Sequence, residues 1–110
     1  MPFYVYRGRY SPEGFRALIE TPQDREFASR ELVEAMGGTL HHFFFCFGVE
    51  DVMALVEAPD DKTMMTIAMI VCGSSANADG GVTKLMTAGE AMECMSNAHA
   101  LLEKYKAATG

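Results

Sequence analysis

The first segment of the chain alternates side chains at the period of a β-strand. Residues Phe3 to Tyr10 are rich in aromatic and β-branched types, which favour a pleated, half-buried surface. Strict alternation places three tyrosines on one face of this strand: Tyr4, Tyr6 and Tyr10. We therefore predict that the sheet of the protein begins here.

Two helical segments follow, and each is introduced by a proline. Ser11-Pro12 is typical of a helix start, because a serine oxygen caps the first turn and proline fits the first helical position. Thr21-Pro22 repeats this signal and predicts a break. The second helix is predicted from about Pro22 to Met36, and Gly37-Gly38 ends it. Its apolar stripe comprises Ala28, Leu32, Ala35 and Met36.

The second predicted strand, Thr39 to Phe47, is apolar on both of its faces. In a regular strand one face carries Leu40, His42, Phe44 and Cys46, and the other carries His41, Phe43, Phe45 and Phe47. Leaving either face in water costs free energy, because large apolar side chains lie on both. One face therefore needs helices, and the other face needs a different cover.

The rest of the chain predicts two more strands and two more helices. Their predicted ranges are a strand from Asp51 to Glu57, a helix from about Asp61 to Cys72, a strand from Val82 to Met86 and a helix from about Ala88 to Lys106. The segment from Gly73 to Gly81 is small and polar and predicts a loop.

The resulting order, β-α-β-β-α-β-α, predicts a ferredoxin-like α+β fold with an antiparallel sheet and an added C-terminal helix. The 110 residues are expected to form a single domain, residues 1–110. The apolar open face of the sheet is expected to pack against a second copy of the chain. This predicts a homodimer, or a higher oligomer, with a closed, barrel-like centre of the dimeric α+β barrel type.

The composition argues against several classes of partner. A net charge of −6 is unfavourable for binding nucleic acid, which needs a basic face. No apolar run approaches the roughly 20 residues of a membrane span, and the N-terminus lacks the pattern of a signal peptide, so a cytoplasmic protein is expected. The three cysteines, Cys46, Cys72 and Cys94, form no CxxC pair or Cys/His cluster, so a structural zinc site is not expected. No metal and no cofactor are predicted for this chain.

Several short segments, taken in order, resemble one known family. They are Tyr10-Ser11-Pro12-Glu13-Gly14, Gly37-Gly38, the segment from Phe47 to Val52, the segment from Glu57 to Asp61, and Gly81-Val82-Thr83. Their order and spacing, from Pro2 to about Met92, resemble the GYD domain family of small bacterial proteins. The signature tyrosine is replaced here, because Glu50 stands directly before Asp51. The resemblance implies a ferredoxin-like, dimeric α+β barrel and identifies no catalytic residue.

The residues themselves offer three weak candidates for catalysis: His41, His42 and Asp51. Adjacent histidines in a regular strand point to opposite faces, so only one of them can meet a given cavity. A histidine in an apolar cavity can act as a base or a metal ligand near neutral pH, or it can be a core or interface residue with one hydrogen bond. Asp51 could bind a ligand, or it could fix the turn by accepting backbone N–H bonds.

Two hypotheses about function follow from this sequence. The first is a homo-oligomeric binding or assembly module with a small apolar ligand pocket between the sheet and the C-terminal helix. The pocket would be lined by Tyr4, Tyr6, Phe43 and Phe45, although these aromatic rings could equally be packing. The alternative is a cofactor-independent monooxygenase or isomerase that acts on an aromatic or quinol-like molecule, with His41 or His42 moving the proton.

Overall fold

Four strands form one antiparallel sheet in the computed structural model, which describes residues 1–109. The elements are β1 (Phe3–Tyr10), α1 (Pro12–Glu20), α2 (Arg25–Ala35), β2 (Thr39–Phe45), β3 (Val52–Glu57), α3 (Asp61–Cys72), β4 (Asn77–Lys84), α4 (Ala88–Leu101) and a 3-10 turn (Leu102–Lys104). The strand order is β2-β3-β1-β4. This is the order of the ferredoxin-like α+β fold, and that prediction is confirmed.

Each helix begins at a residue whose side chain caps its first turn. Ser11, Asp24, Asp60 and Thr87 all accept a backbone N–H bond from the turn that follows them. Such caps satisfy donors that have no partner inside the helix. Asp24 places the start of α2 at Arg25, three residues later than predicted, because the cap rather than Pro22 sets the first turn.

The helices α1, α2 and α3 cover one face of the sheet. The buried residues of this layer include Tyr4 and Tyr6 from β1, Val56 from β3, and Met64 and Ile67 from α3. Met64, Ile67 and Ala68 are the buried residues of α3, and their spacing places them on one side of the helix. This layer holds the helices in place by burying apolar area.

A bulge in β2 changes which side chains share a face. The pairing of β2 with β3 shifts between Leu40 and His42, so one extra residue, His41, is inserted there. Leu40 and Phe43 lie opposite the buried Val56 and Ala54, and both therefore point toward the helices. The prediction that Leu40 shares a face with His42 and Phe44 is wrong, because it assumed an unbroken alternation.

The strand β4 begins at Asn77, five residues earlier than predicted. The segment predicted as a loop is mostly strand, because its backbone pairs with β1 from Tyr10↔Asn77 to Tyr4↔Lys84. Backbone ladders do not require large side chains, so the small polar residues here gave no strand signal. Conversely, β2 ends at Phe45, before the predicted Phe47, and β3 begins at Val52.

The helix α4 extends away from the sheet. It ends at Leu101, short of the predicted Lys106, and none of the residues of this described helix is buried. The radius of gyration is 18.1 Å, whereas a compact chain of this length has about 13 Å. The principal extents of 60 × 33 × 20 Å reflect this projection. Met92 and Met95 are therefore both well exposed.

Replacement of Gly14 by alanine is expected to destabilise the protein. A Cβ at Gly14 would overlap the carbonyl oxygen of Ala76, where α1 lies against the start of β4. We expect Gly14→Ala to lower the free energy of unfolding by about 1 to 3 kcal/mol, measured by urea denaturation. Gly81→Ala is the control, because no heavy atom lies within 4 Å of its added Cβ. Equal effects of the two substitutions would contradict this account.

Candidate functional site

The main cavity of the protein lies between the sheet and the helices α1, α2 and α3. Its volume is about 430 Å³, within the size range of small-molecule sites. All four strands and these three helices contribute to its wall, but α4 does not. The expected position, between the sheet and the C-terminal helix, is therefore wrong, because α4 projects away from the sheet.

Small side chains create this space. Five of the lining residues carry a methyl group or only hydrogen: Gly14, Ala17, Ala28, Ala54 and Ala76. They lie on α1, α2 and β3 and at the residue before β4. The side chains on several walls of the cavity are therefore too short to fill it. Close packing normally fills such a volume with side chains, so an open space of this size is unusual in a protein interior.

Polar groups gather where β1 and β4 meet above the cavity. The Tyr6 hydroxyl accepts a hydrogen bond of 3.1 Å from the Asn77 side-chain nitrogen, which also donates to the Val71 carbonyl at 2.9 Å. The Cys72 sulfur lies 3.7 Å from the same hydroxyl. Burial, followed by the contact with Cys72, raises the pKa of Tyr6, so its hydroxyl remains neutral and can donate or accept.

A second polar group lies beside the first, at the end of β1. Tyr10 lines the cavity together with Arg25 and Gln23. Burial raises the pKa of Tyr10, and the positive charge of the Arg25 guanidinium opposes this shift. The Arg25 Nη1 atom donates to the Gln23 Oε1 atom at 2.9 Å, which holds the guanidinium at the wall.

The structure brings together two of the four residues predicted to line a pocket. Tyr6 and Phe43 line the cavity. Tyr4 is buried elsewhere in the layer and donates to the Asp61 carboxylate at 2.5 Å. Phe45 is 57% exposed and stacks on Tyr10 with ring centroids 6.1 Å apart. Tyr4 and Phe45 are therefore not part of the cavity wall.

Both candidate histidines lie on the face of the sheet opposite the cavity. The bulge turns His41 to the helix-free face, where its ring meets Phe3 at 5.6 Å and its Nε2 atom lies 2.9 Å from Glu57 Oε1. His42 stacks on Phe44 on the same face, with ring centroids 5.7 Å apart. The prediction that the two histidines point to opposite faces is wrong, because it assumed a regular strand.

Asp51 acts within the backbone of the turn between β2 and β3. Its Oδ2 atom accepts a bond of 2.9 Å from the Tyr10 backbone N–H. Its own N–H donates to the Gly8 carbonyl, and its carbonyl accepts from the Cys46 N–H. This geometry fits the turn-fixing alternative, and Asp51 is not part of the cavity wall.

Sequence reasoning missed six polar residues of the cavity wall: Tyr10, Gln23, Arg25, Ser29, Ser74 and Asn77. A signal for two of them was present. Arg25 and Ser29 stand at helical spacing with Ala28 and Leu32, on the stripe that was already assigned to the core. Asn77 gave no such signal, because its segment was interpreted as a loop.

The described residues, 1–109, contain neither a metal-binding cluster nor a helix that could span a membrane. Within that range no three His, Cys, Asp or Glu side chains form a group that could hold a metal ion. In the same part of the chain, no helix combines the length and apolar character needed to cross a membrane.

The chain is similar to known proteins both in sequence, through a protein family, and in structure, through solved structures. The family model described as GYD domain matches residues 4–95. Among solved structures, MtbAldR is similar to this chain with a TM-score of 0.56 and 14% sequence identity. The match covers 78% of this chain and 52% of MtbAldR, so this chain spans about half the length of MtbAldR. TTHA0845 from Thermus thermophilus has a TM-score of 0.54 at 13% identity, with coverages of 80% and 96%. These two likenesses show the fold alone. Curated proteins gave no match.

Stability is expected to fall when the pH rises above about 10, because of the tyrosines on the buried face of β1. Burial, with the hydrogen bond to Asp61, raises the pKa of Tyr4 to about 12, and the pKa values of Tyr6 and Tyr10 are also raised. Above about pH 10 the tyrosine hydroxyls of the unfolded chain lose their protons, whereas those of the folded chain retain them. The contribution of these hydroxyls to the free energy of unfolding is therefore fully present below about pH 10, and it is lost as the pH rises through the pKa values of the folded chain.

Urea denaturation between pH 8 and pH 11 measures this dependence. The Tyr4→Phe variant should show a shallower fall than the unsubstituted protein, because one of the three groups no longer titrates. Tyr105→Phe is the matched control, since Tyr105 is 78% exposed near the C-terminus. A fall that is identical in all three proteins would show that Tyr4 does not contribute.

Proposed function

The chain belongs to the GYD domain family, and from this membership we propose that it is a self-associating binding protein that holds a small, mainly apolar molecule. The ligand site is the cavity between the sheet and the helices α1 to α3. The match over residues 4–95 includes every element that forms this cavity. The proposal therefore concerns the part of the chain that defines the family.

The cavity is the observation that carries the proposal. A space of about 430 Å³ with a mostly apolar wall and a few hydroxyl, amide and guanidinium groups at one end has the make-up of a small-molecule site. The convergent groups are those of Tyr6, Tyr10, Arg25 and Asn77. A pure assembly protein would fill the same space with large side chains.

Self-association is supported by the exposed area of the chain. A compact monomer of 12.0 kDa exposes on the order of 6,000 Å². This chain exposes 7928 Å². The difference is larger than the roughly 800 Å² that each partner contributes to a standard protein–protein interface. An isolated chain therefore leaves unburied an area that a partner copy could cover.

The helix-free face of the sheet is the surface that we assign to this contact. We call it the open face; it comprises Phe3, Val5, Phe44, Met53 and Leu55, with His41 and His42 beside them. Phe44 is 59% exposed and Met53 38% exposed. Apolar side chains in this number on one face favour a second apolar face over water.

The enzyme alternative has no support from the arrangement of its candidate residues. A monooxygenase or isomerase was expected to use His41 or His42 beside its substrate. Both lie across the sheet from the cavity, and the Asp51 carboxylate accepts the Tyr10 backbone N–H at the turn. The cavity offers tyrosine hydroxyls and one guanidinium, which suit hydrogen bonding to a ligand.

Self-association is tested by placing a charge on the open face. We expect the unsubstituted protein to sediment as a dimer or larger species at micromolar concentration, and Phe44→Asp to sediment as a monomer, because a carboxylate there would be desolvated. Phe27→Asp is the matched control: Phe27 is 58% exposed and lies on α2, away from the open face. A monomeric unsubstituted protein in analytical ultracentrifugation would refute the proposed assembly.

The cavity is tested with a neutral aromatic probe, N-phenyl-1-naphthylamine. We expect saturable fluorescence enhancement, and at least fivefold weaker binding by Ala28→Leu, because a larger side chain occupies the cavity. Ala35→Leu is the matched control, since Ala35 is exposed on the same helix and is not part of the wall. Equal binding by both variants would place the probe elsewhere and count against the cavity.

A further inference from the structure

The cavity wall contains a single ionisable cation and no carboxylate. Among residues 1–109, Arg25 is the one lysine, arginine or histidine that lines it, and no aspartate or glutamate does so. The side chain lies at the start of α2, on the stripe that also carries Ala28, Ser29 and Leu32. A positive charge at the edge of an apolar space is a specific recognition element, because its desolvation is offset only by an anion or by hydrogen-bond acceptors.

Within residues 1–109, no carboxylate neutralises Arg25. Within the described range, no aspartate or glutamate oxygen lies within 4.0 Å of its guanidinium; the ion pairs of this range are Arg30–Glu26, His41–Glu57 and Lys84–Asp61. The guanidinium has five N–H donors, and the Gln23 oxygen accepts from Nη1. Further donors on the same planar group can therefore serve a ligand.

Tyr10 supplies a second donor to the same cavity. It is half-buried and lines the wall together with Arg25. Burial raises the pKa of Tyr10, so the hydroxyl keeps its proton at neutral pH. A guanidinium and a phenol at one end of an apolar space together form a site for an oxygen-bearing anionic group.

We infer that the cavity recognises a small organic carboxylate, whose two oxygens bind the Arg25 guanidinium and the Tyr10 hydroxyl while its apolar body lies between Ala54 and Ile67. This inference rests on the proposed function and names the ligand class of the same site. A carboxylate fits better than a phosphate, because one positive charge balances one negative charge, and a second negative charge would be left in an apolar space. Its planar shape also matches the fork of the guanidinium.

The test compares two probes of the same shape and different charge, 2-naphthoate and 2-naphthamide, by displacement of N-phenyl-1-naphthylamine. We expect the unsubstituted protein to bind 2-naphthoate at least tenfold more tightly than 2-naphthamide. Arg25→Gln should weaken 2-naphthoate at least tenfold and leave 2-naphthamide within twofold. Arg25→Lys, which keeps the charge and loses the fork, should give an intermediate loss.

Arg30→Gln is the matched control, because it removes the same charge from the same helix at a residue outside the cavity wall. It should leave the binding of both probes unchanged. Unchanged binding of 2-naphthamide by Arg25→Gln also shows that this variant keeps its cavity.

The outcomes separate the inference from the proposed function. If N-phenyl-1-naphthylamine binds the cavity but the two naphthyl probes bind equally, or Arg25→Gln affects neither, the carboxylate assignment is overturned and the binding function stands. If 2-naphthoate fails to bind where the neutral probes bind, the assignment is also overturned. If none of the three probes gives a saturable signal, the proposed function itself has failed.

Discussion

A four-stranded sheet with two apolar faces sets the constraint on which the rest of this structure depends. Helices cover the face that carries Tyr4 and Tyr6, and this layer forms the core. Among residues 1–109, no helix lies over the opposite face, which carries Phe44 and Met53. The hydrophobic effect therefore acts on the two faces differently: it folds the chain on one side, and on the other it favours association. The open face is the physical ground for the proposed assembly.

Much of the fold could be predicted, because local signals specify where its elements begin. The strand β1 and the helix α3 match their predicted ranges, since alternation marks the first and the Asp60 cap marks the second. The bulge at His41 could not be predicted from periodicity, because an inserted residue leaves no trace in the residue types around it. The start of β4 at Asn77 depends on pairing with β1, which is a tertiary effect.

The candidate site was only partly predictable for a related reason. Tyr6 and Phe43 were predicted to line a pocket because aromatic side chains can surround a flat apolar molecule. The cavity itself is open because small residues, such as Ala28 and Ala54, leave its volume unfilled. An alanine on an apolar stripe looks the same in a sequence whether it is packed or borders a space. Arg25 lies on that stripe too, and a polar residue among apolar neighbours at helical spacing was the available sign of a ligand site.

The bulge in β2 has a consequence beyond the orientation of two histidines. β2 is an edge strand, and its outer row of backbone N–H and C=O groups could template the addition of a strand from another molecule. An extra residue at His41 breaks the regular spacing of that row, so an incoming strand cannot pair along its whole length. The bulge thereby hinders open-ended growth into fibrils at this edge, and it leaves the open face, through which contact can close on itself, as the surface for the proposed self-association.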